Sequence, residues 1–418
     1  MTVLEAAREN NIYIPTLCDH KDLTPWGACR MCIVEIEGLR GLPTACTTKV
    51  TEGMVVKTQT PQVQEERRAI MELMLASHPS GCLMCEARGE CGSTMETIRK
   101  SSLTTGCGSC PNNGQCEFLS TAEKVGVTEV QYPKFYRHLP IENQDPFYDR
   151  DYNLCIICGR CVRVCEQIRL AEVLTFTKRG SQTKIGTAYD RSHIDAGCEF
   201  CGACVEVCPT GTLSEKFRKW EGVPEDTVSS TCALCGIGCQ IELLVKENRV
   251  IGSLPGDDEL VNHGQLCVKG RFTIAEMMGH YRRIEHPYQI LDQTQDSLDW
   301  EEAIEIAVNR LAACPPDKFA MVVSANSTNE NLYTAQKFAR TVMGSHHIDT
   351  TARLYYGKGW NEYLKILSHS VPFNEIQHAD VILSIGLDTR YARSVVGVEI
   401  KRALKHGAVL YTVHPQSH

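Results

Sequence analysis

Two four-cysteine runs in the middle of the chain have the spacing of an iron–sulfur protein. The pattern C-x2-C-x2-C-x3-C occurs at 155–165 and again at 198–208, where Pro209 follows. In such runs three closely spaced thiolates bind one [4Fe–4S] cluster, and the fourth cysteine of each run binds the other cluster. The pattern therefore predicts two clusters. One set of ligands is Cys155, Cys158, Cys161 and Cys208, and the other is Cys198, Cys201, Cys204 and Cys165.

The two other uses of cysteine fit these runs less well. Zinc favours two separated CxxC pairs. Disulfides need an oxidising compartment, and the first ten residues, MTVLEAAREN, carry no basic segment followed by an apolar stretch, as a secretory signal would. The chain contains 23 cysteines. Without an export signal, that number indicates metal binding and a cytoplasmic location.

Two more groups of four cysteines lie towards the two ends of the chain. The N-terminal group has the spacing C-x10-C-x2-C-x13-C around a tight glycine-containing loop and predicts a [2Fe–2S] cluster, with a zinc knuckle as the alternative. Its members are Cys18, Cys29, Cys32 and Cys46. The second group has the spacing C-x2-C-x3-C followed by a 27-residue gap, and it predicts a [4Fe–4S] cluster. Its members are Cys232, Cys235, Cys239 and Cys267.

A histidine and two cysteine triplets lie between the N-terminal group and the central runs. His78 stands four residues before the triplet Cys82, Cys85 and Cys91. Because an imidazole can replace a thiolate on iron, we predict that His78 and this triplet hold one cluster. The same triplet spacing recurs at Cys107, Cys110 and Cys116, with Leu103 where the histidine would stand. This second triplet either holds a further [4Fe–4S] cluster, with a fourth ligand that the sequence does not identify, or itself pairs with His78.

Local patterns predict the elements that position these ligands. Thr2 and Glu5 form a capping box for a helix over 2–10. Helical spacing of apolar residues predicts a second helix over 63–77, and alternating polarity predicts a strand over 33–37. A hairpin is predicted over 173–187. Residues 221–230 are predicted to be a linker.

The last third of the chain has a different pattern, in which strands alternate with helices. Such alternation favours a parallel α/β sheet. The predicted helices are 300–311, 329–343 and 395–406, and the predicted strands are 319–324, 381–386 and 408–413. Cys314 lies alone in this region and is predicted to be an ordinary thiol.

Composition excludes several functions. A net charge of −8 gives no basic surface for nucleic acid. No apolar run approaches the ~20 residues of a membrane-spanning helix. The chain contains neither a GxGxxG loop after a strand nor GxxxxGK[ST]. We therefore expect flavin and NAD to bind to other subunits.

The order of these motifs resembles the large iron–sulfur subunit of respiratory complex I and the N-terminal part of NAD-linked formate dehydrogenases. Its first three modules are also similar to the diaphorase iron–sulfur subunit of NAD-linked [NiFe] hydrogenases and to the front half of multimeric [FeFe] hydrogenases. The resemblance implies an α+β multidomain fold. It has a β-grasp [2Fe–2S] domain, a His-ligated [4Fe–4S] domain, a bacterial-type 2[4Fe–4S] ferredoxin domain and a truncated α/β molybdopterin-oxidoreductase-like domain. The predicted boundaries are 1–62, 63–140, 141–220, 221–290 for the last cluster domain and 291–418 for the truncated domain.

The sequence differs from these families in two places, which changes what we expect of the N-terminal sheet and of a pterin site. Related ferredoxin domains begin with a β-hairpin before the TVLEAARE-like helix, so we expect that hairpin to be missing here. Residues 232–418 resemble the opening of a molybdenum- or tungsten-pterin oxidoreductase, in which Lys269 matches the lysine between cluster and pterin. The expected position of the metal-ligating cysteine or selenocysteine reads Leu354-Tyr355-Tyr356. We therefore expect no pterin on this chain.

The resemblance implies an electron-transfer subunit with one [2Fe–2S] and four [4Fe–4S] clusters, and a fifth [4Fe–4S] cluster if both triplets bind iron. The implied partners are a flavin- and NAD-binding diaphorase subunit, a thioredoxin-like [2Fe–2S] subunit and a terminal hydrogenase or formate dehydrogenase. Ferredoxin is a further partner if the complex bifurcates electrons. The alternatives are a fragment of a pterin-dependent formate dehydrogenase, a complex I subunit, or a C-terminal part that only docks partners.

Overall fold

A computed structural model describes residues 1–79, 104, 106–257, 261–291, 294–353 and 357–415. The predicted ligands Cys82, Cys85 and Cys91 therefore lie outside the described residues, as do Leu103 and residues 354–356. Within the described ranges no helix is both long enough and apolar enough to cross a membrane.

The N-terminal unit consists of one short helix and a small antiparallel pair of strands. Helix α1 spans Val3–Glu9, and strands β1 (Glu35–Ile36) and β2 (Val56–Lys57) pair with each other. The predicted capping box is present, because the Glu5 amide donates to the Thr2 hydroxyl at 3.2 Å and the Thr2 amide donates to the Glu5 carboxylate at 2.7 Å. The strand predicted over 33–37 is shorter, since Ile33 forms only an isolated bridge with Thr44.

Two helices connect this unit to the centre of the molecule. Helix α2 spans Pro61–Ala76 and starts at the N-cap Thr60, in agreement with the predicted amphipathic helix. Helix α3 spans Glu117–Val125 and packs against α2. Their shared core includes Met71 and Phe118, which are 0% and 2% exposed. The second cysteine triplet therefore leads directly into a helix that is anchored in the core.

The central unit has two short antiparallel strand pairs and two one-turn helices. Strands β3 (Tyr148–Arg150) and β6 (Leu213–Glu215) pair, and β4 (Leu174–Thr177) and β5 (Lys184–Thr187) form the predicted hairpin. Helices α4 (Arg160–Arg163) and α5 (Ala203–Glu206) occupy equivalent places in the two cysteine runs. The repeat in the sequence is thus also a repeat in local structure.

The next unit is a three-stranded antiparallel sheet followed by two short helices. Its strands are β7 (Asp226–Thr231), β8 (Gln240–Lys246) and β9 (Arg249–Pro255). Helices α6 (Val268–Phe272) and α7 (Ile274–Met278) follow. The linker predicted over 221–230 is wrong at its C-terminal end, because residues 226–230 pair with β8. Gly222 and Pro224 indicated a loop, but the following Thr-Val-Ser-Ser-Thr segment forms a strand.

The C-terminal unit is mixed α/β, as predicted. After the hairpin β10 (Tyr288–Leu291) and β11 (Thr294–Ser297), helices alternate with strands that pair in parallel, β12 with β13 and β14 with β15. These elements are α8 (Trp300–Ala312), β12 (Met321–Val323), α9 (Asn329–Lys337), β13 (Ile348–Thr350), α10 (Trp360–Leu367), β14 (Val381–Ile385), α11 (Ser394–Lys405) and β15 (Val409–Val413). Strand β13 was not anticipated from the sequence.

Helix α11 joins this unit to the cysteine-rich half of the molecule. Val395 lies in one apolar core with Cys232, Cys239 and Ile241. The Arg390 guanidinium donates to the carbonyl of Ile194, across 196 positions of the chain, at 2.7 Å. The C-terminal unit is therefore packed against the regions that contain the last two predicted cluster sites.

Candidate metal centres

The four N-terminal cysteines converge in a buried pocket. Cys18, Cys29, Cys32 and Cys46 are between 1% and 7% exposed. The Cys29 amide donates to the Cys18 sulfur at 3.4 Å. The thiols of Cys18 and Cys29 also hydrogen bond, and this contact lowers the pKa of Cys18 to about 6. A matching contact joins Cys32 to Cys46. Four sulfurs that face one another in a dry site fit the predicted [2Fe–2S] ligand set.

The two central runs enclose two adjacent cavities. The first is lined by Cys155, Cys158, Cys161 and Cys208, and the second by Cys165, Cys198, Cys201 and Cys204. These are the two ligand sets predicted from the sequence, including the exchange of the fourth cysteine between runs. Cys204 lines both cavities. The donors thus fit two neighbouring [4Fe–4S] clusters.

Burial determines the protonation of these thiols. It raises the pKa of Cys155, Cys158 and Cys198 from an ordinary 9.0 to about 12. A thiol in such surroundings keeps its proton at neutral pH unless a cation compensates the charge of the thiolate. The irons of a bound cluster would provide that positive charge, because metal binding releases the thiol proton.

Two glycines allow neighbouring units to approach the central runs closely. Gly159 and Gly202 follow the second cysteine of each run and have φ of +70° and +76°, where a residue with a Cβ is strained. A Cβ at Gly159 would lie 2.1 Å from the ring of Trp26, and one at Gly202 would lie 2.6 Å from Arg271. The N-terminal unit therefore contacts one run, and the unit with the last cluster site contacts the other.

His78 lies next to the second triplet. Its ring is 4.9 Å from the ring of Phe118, two residues after Cys116. It also hydrogen bonds the backbone of Leu154, and its buried Nδ1 has no hydrogen-bond partner among the described residues. Burial lowers the pKa of His78 to about 4, so the ring is neutral and can ligate a metal.

The second triplet packs against the first central run. A Cβ at Gly211 would lie 2.5 Å from the Cys110 sulfur and 3.4 Å from the side chain of Leu154. The Cys116 sulfur donates to the Pro209 carbonyl at 3.6 Å. Burial raises the pKa of Cys110 to about 12. This triplet therefore has the same buried environment as the cysteines of the central runs.

Three of the last four cysteines lie in the loop between β7 and β8, and the fourth, Cys267, is the N-cap of α6. The Cys232 amide donates to the Cys239 carbonyl at 2.8 Å. Burial and the nearby thiols of Cys232, Cys267 and Cys235 raise the pKa of Cys239 to about 12. Lys269 follows on α6, where its side chain is exposed and its carbonyl accepts from the Thr273 hydroxyl at 2.9 Å. The cysteines fit a [4Fe–4S] site, and Lys269 lies at its solvent side.

No three His, Cys, Asp or Glu side chains in the described part of the chain are grouped to hold a single metal ion. A [4Fe–4S] cluster requires a wider arrangement than a single ion, because each of its four thiolates binds a different iron.

Shared apolar cores connect these sites. Cys18 and Cys29 pack with Cys158 in a single core, to which Cys116 also contributes. Phe272, at the end of α6, packs with Cys198 and Cys204. The sequence places each ligand set separately, whereas the structure brings the sets into contact.

Sequence reasoning did not identify the arginines that link the sites. Arg163 lies inside the first run and donates to the Thr24 carbonyl at 2.7 Å and to the Cys18 carbonyl. Arg169, which is 1% exposed, donates to Glu199 and Gln265, each at 2.7 Å. The position of Arg163 between two cysteines, in the segment C-V-R-V-C, was the one sign of its role in the sequence. Its partner Thr24 could not be identified in this way, because it lies 139 positions away.

Five family models match the chain in succession. They are a 2Fe-2S iron-sulfur cluster binding domain over 1–61, an NADH-ubiquinone oxidoreductase-G iron-sulfur binding region over 67–92, and an NADH-quinone oxidoreductase subunit 3 ferredoxin-like domain over 145–214. A molybdopterin oxidoreductase Fe4S4 domain follows over 225–279, and a molybdopterin oxidoreductase domain over 283–418. The predicted order of 2Fe-2S, 4Fe-4S and molybdopterin-oxidoreductase modules is confirmed. The domain boundaries remain predictions.

Several oxidoreductase subunits are similar to nearly the whole chain. The NADPH-Fe(3+) oxidoreductase subunit alpha of Geobacter sulfurreducens is 35% identical over 98% of this chain and 46% of its own length. An NADH-quinone oxidoreductase subunit of Rhizobium meliloti is 33% identical over 92% of this chain and 42% of its own length. A solved NAD+-reducing [NiFe]-hydrogenase covers 51% of this chain and 80% of its own, at 26% identity and a TM-score of 0.41.

The chain spans about half the length of the curated relatives it matches. Further relatives have names that include NADH-quinone oxidoreductase and formate dehydrogenase. The predicted resemblance to the iron–sulfur subunits of NAD-linked oxidoreductases is confirmed.

Proposed function

Since the chain shares this order of modules with oxidoreductase subunits, we propose that it is an iron–sulfur electron-transfer subunit of a flavin-containing NAD(P)H-linked oxidoreductase complex. The observation that carries the proposal is the contact between the cysteine sites through shared apolar cores. When bound, iron–sulfur clusters supply one-electron transfer, which complements the hydride chemistry of nicotinamide and flavin. A series of adjoining sites suits conduction better than separate structural roles.

The chain's own residues hold the ligands in place and exclude water. The cysteines of the N-terminal site are at most 7% exposed. Arg163 connects that site to the first central run by donating to the Cys18 carbonyl, and Arg169 connects the second run to Gln265, two residues before Cys267. These arginines fix neighbouring sites relative to each other. In this proposal none of the named residues makes or breaks a substrate bond.

The proposed partners follow from the chemistry that this chain lacks. A diaphorase subunit would bind flavin and NAD(P), and a thioredoxin-like [2Fe–2S] subunit would accompany it in the cytoplasm. The names of the relatives, NADPH-Fe(3+) oxidoreductase and NADH-quinone oxidoreductase, support a nicotinamide donor or acceptor. A hydrogenase or formate dehydrogenase subunit would supply the terminal site, and an electron-bifurcating complex would add ferredoxin.

The test uses the intact complex, purified without oxygen from cells that produce either the wild-type chain or the variant Cys158→Ser. We expect the variant complex to oxidise NAD(P)H with ferricyanide, which takes electrons directly from flavin, but to lose electron transfer to its terminal acceptor. The matched control is Cys314→Ser, because Cys314 lies outside every ligand set. Full terminal activity in Cys158→Ser would contradict the proposal.

We further propose that His78 binds its cluster together with Cys107, Cys110 and Cys116. The contact of His78 with Phe118 and Leu154 supports this set, because those residues flank Cys116 and the Cys110 sulfur. Within the described part of the chain the buried Nδ1 of His78 has no hydrogen-bond partner, so it is available there as a ligand atom. The family model over 67–92 instead contains His78 with Cys82, Cys85 and Cys91. The two assignments lead to opposite results when one cysteine of each triplet is replaced.

The test compares two variants of the full chain, Cys110→Ser and Cys85→Ser. For each, the iron content and the number of EPR signals are measured after anoxic purification. We expect Cys110→Ser to lose the signal of the His-ligated cluster and Cys85→Ser to retain it. Loss of that signal in Cys85→Ser alone would overturn the assignment. Loss of two distinct signals, one in each variant, would show that both triplets bind iron.

The second candidate function is a pterin-dependent formate dehydrogenase of which this chain is one part. The match of residues 283–418 to a molybdopterin oxidoreductase model favours it. Metal analysis separates the two functions, since molybdenum or tungsten in stoichiometric amount on the isolated chain would refute the electron-transfer role proposed here. Replacement of Lys269 by Ala should alter activity only under the pterin hypothesis.

A further inference from the structure

Two buried polar side chains lie between the two central cavities. Tyr148 and His193 line both of them, and they are 1% and 3% exposed. Neither is a predicted ligand. Burying a polar group without a hydrogen-bond partner costs free energy. The hydrogen bonds of Tyr148 and His193 therefore indicate the role of these side chains.

These side chains form a hydrogen-bonded series that ends at a cluster ligand. Arg150 is paired with Asp145 and Glu142, and its Nη1 lies 2.9 Å from Nδ1 and 3.1 Å from Nε2 of His193. Nδ1 of His193 is 3.0 Å from the Tyr148 hydroxyl. That hydroxyl is 3.9 Å from the sulfur of Cys198. The series therefore connects a buried ion pair to a cysteine sulfur.

We propose that Tyr148 donates a hydrogen bond to the Cys198 thiolate and thereby raises the reduction potential of the cluster held by Cys165, Cys198, Cys201 and Cys204. The Asp145 carboxylate also lies 3.3 Å from Nδ1 of His193, so the ion pair and the histidine hold the Tyr148 hydroxyl beside the sulfur. Tyr148 is the donor in this contact, because a thiolate has no proton to donate. The proposal rests on the proposed function, because it requires a cluster at this site.

The direction of the effect follows from charge. A reduced cluster carries one more electron than the oxidised cluster, so a donor to its thiolate stabilises the reduced form more strongly. Hydrogen bonds to the sulfurs are among the factors that set iron–sulfur potentials.

The two runs differ in this contact. Their first cysteines have equivalent backbone donors, since Ile157 donates to Cys155 at 3.4 Å and Phe200 donates to Cys198 at 3.3 Å. The Tyr148 hydroxyl is an additional contact of Cys198. Tyr152 is also buried and lines the first cavity, but no hydrogen bond from its hydroxyl to a sulfur is seen among the described residues. It is therefore a matched control.

The experiment is a potentiometric EPR titration of the full chain and of two variants, Tyr148→Phe and Tyr152→Phe. The two central clusters are assigned beforehand from Cys155→Ser and Cys201→Ser. We expect Tyr148→Phe to leave about tenfold less of the Cys198 cluster reduced at a given potential, a shift of about 59 mV to lower values for a one-electron couple. The Cys155 cluster in that variant and both clusters in Tyr152→Phe should keep their potentials.

A third variant tests the proposal even if Tyr148→Phe fails to bind the Cys198 cluster. Incorporation of 3-fluorotyrosine at position 148 keeps the shape of the side chain and makes the hydroxyl a stronger donor, so the potential of the Cys198 cluster should rise. An unchanged potential with the fluorinated residue, or equal shifts of both clusters in Tyr148→Phe, would overturn the inference. Absence of a cluster at this site in the wild-type chain would instead refute the proposed function.

Discussion

A methyl group at Gly211 should prevent the second triplet from binding iron. The Cβ of Gly211→Ala would lie 2.5 Å from the Cys110 sulfur, whereas a comfortable contact between nonbonded heavy atoms is about 3.5–4.0 Å. The backbone at Gly211 cannot move away from this sulfur, because the same Cβ would already lie 3.4 Å from the side chain of Leu154. The sulfur must therefore move by about 1 Å, well outside the ~0.2 Å tolerance of metal–ligand distances. Overpacking of this kind costs about 1–3 kcal/mol, which the fold can tolerate.

The assay is the iron content and EPR spectrum of Gly211→Ala after anoxic purification. We expect loss of one cluster, about 4 of about 18 irons, with the far-UV circular dichroism unchanged. Gly359→Ala is the control, because no atom of the described residues lies within 4 Å of the added Cβ and the backbone of Gly359 is not left-handed. A full complement of iron and an unchanged spectrum in Gly211→Ala would refute the placement of Cys110 as a ligand.

Two further predictions concern stability. Arg169→Gln removes one of the two cations paired with the buried Glu199, since Lys401 is the other, and it also removes the hydrogen bonds of Arg169 to Gln265 and Ser394. We expect a loss of about 3 kcal/mol, seen as bleaching of the clusters at lower temperature. The control is Arg353→Gln at an exposed ion pair, which should lower the free energy of unfolding by less than about 1 kcal/mol. Equal losses of stability in the two variants would argue against the buried network. In the cluster-free chain, burial raises the pKa of Cys155 and Cys198 from 9.0, the value in the unfolded chain, to about 12. The contribution of these thiols to the free energy of unfolding is therefore complete below pH 9 and is lost as the pH rises towards 12. The melting temperature of the cluster-free chain should therefore fall between pH 9 and 11, and a melting temperature independent of pH would contradict the burial of these thiols.

Spacing in the sequence predicted which cysteines of the central runs line each cavity, because most of each set comes from a short local run. Their role as ligands stays a prediction. The exchange of Cys165 and Cys208 between the central runs was also predicted, since it follows from a known pattern. The capping box of α1 and the hairpin β4–β5 depend on local interactions and were predicted as well. Strand β7 was missed because Gly222 and Pro224 precede it.

Long-range contacts were not predictable in this way. The position of His78 beside Phe118 depends on how α2 packs against α3, and no local pattern encodes that packing. The pairing of Arg169 with Gln265 likewise depends on how separate units fit together. Tyr148 and His193 are 45 positions apart, and only the fold brings them between the two cavities.

The most direct test of the electron-transfer account is a reductive titration of the anoxically purified full chain, with metals measured on the same sample. We predict about 18 irons per chain, about five one-electron equivalents taken up, and neither molybdenum nor tungsten in stoichiometric amount. Zinc in place of iron, or iron that accepts no electrons, would contradict the account.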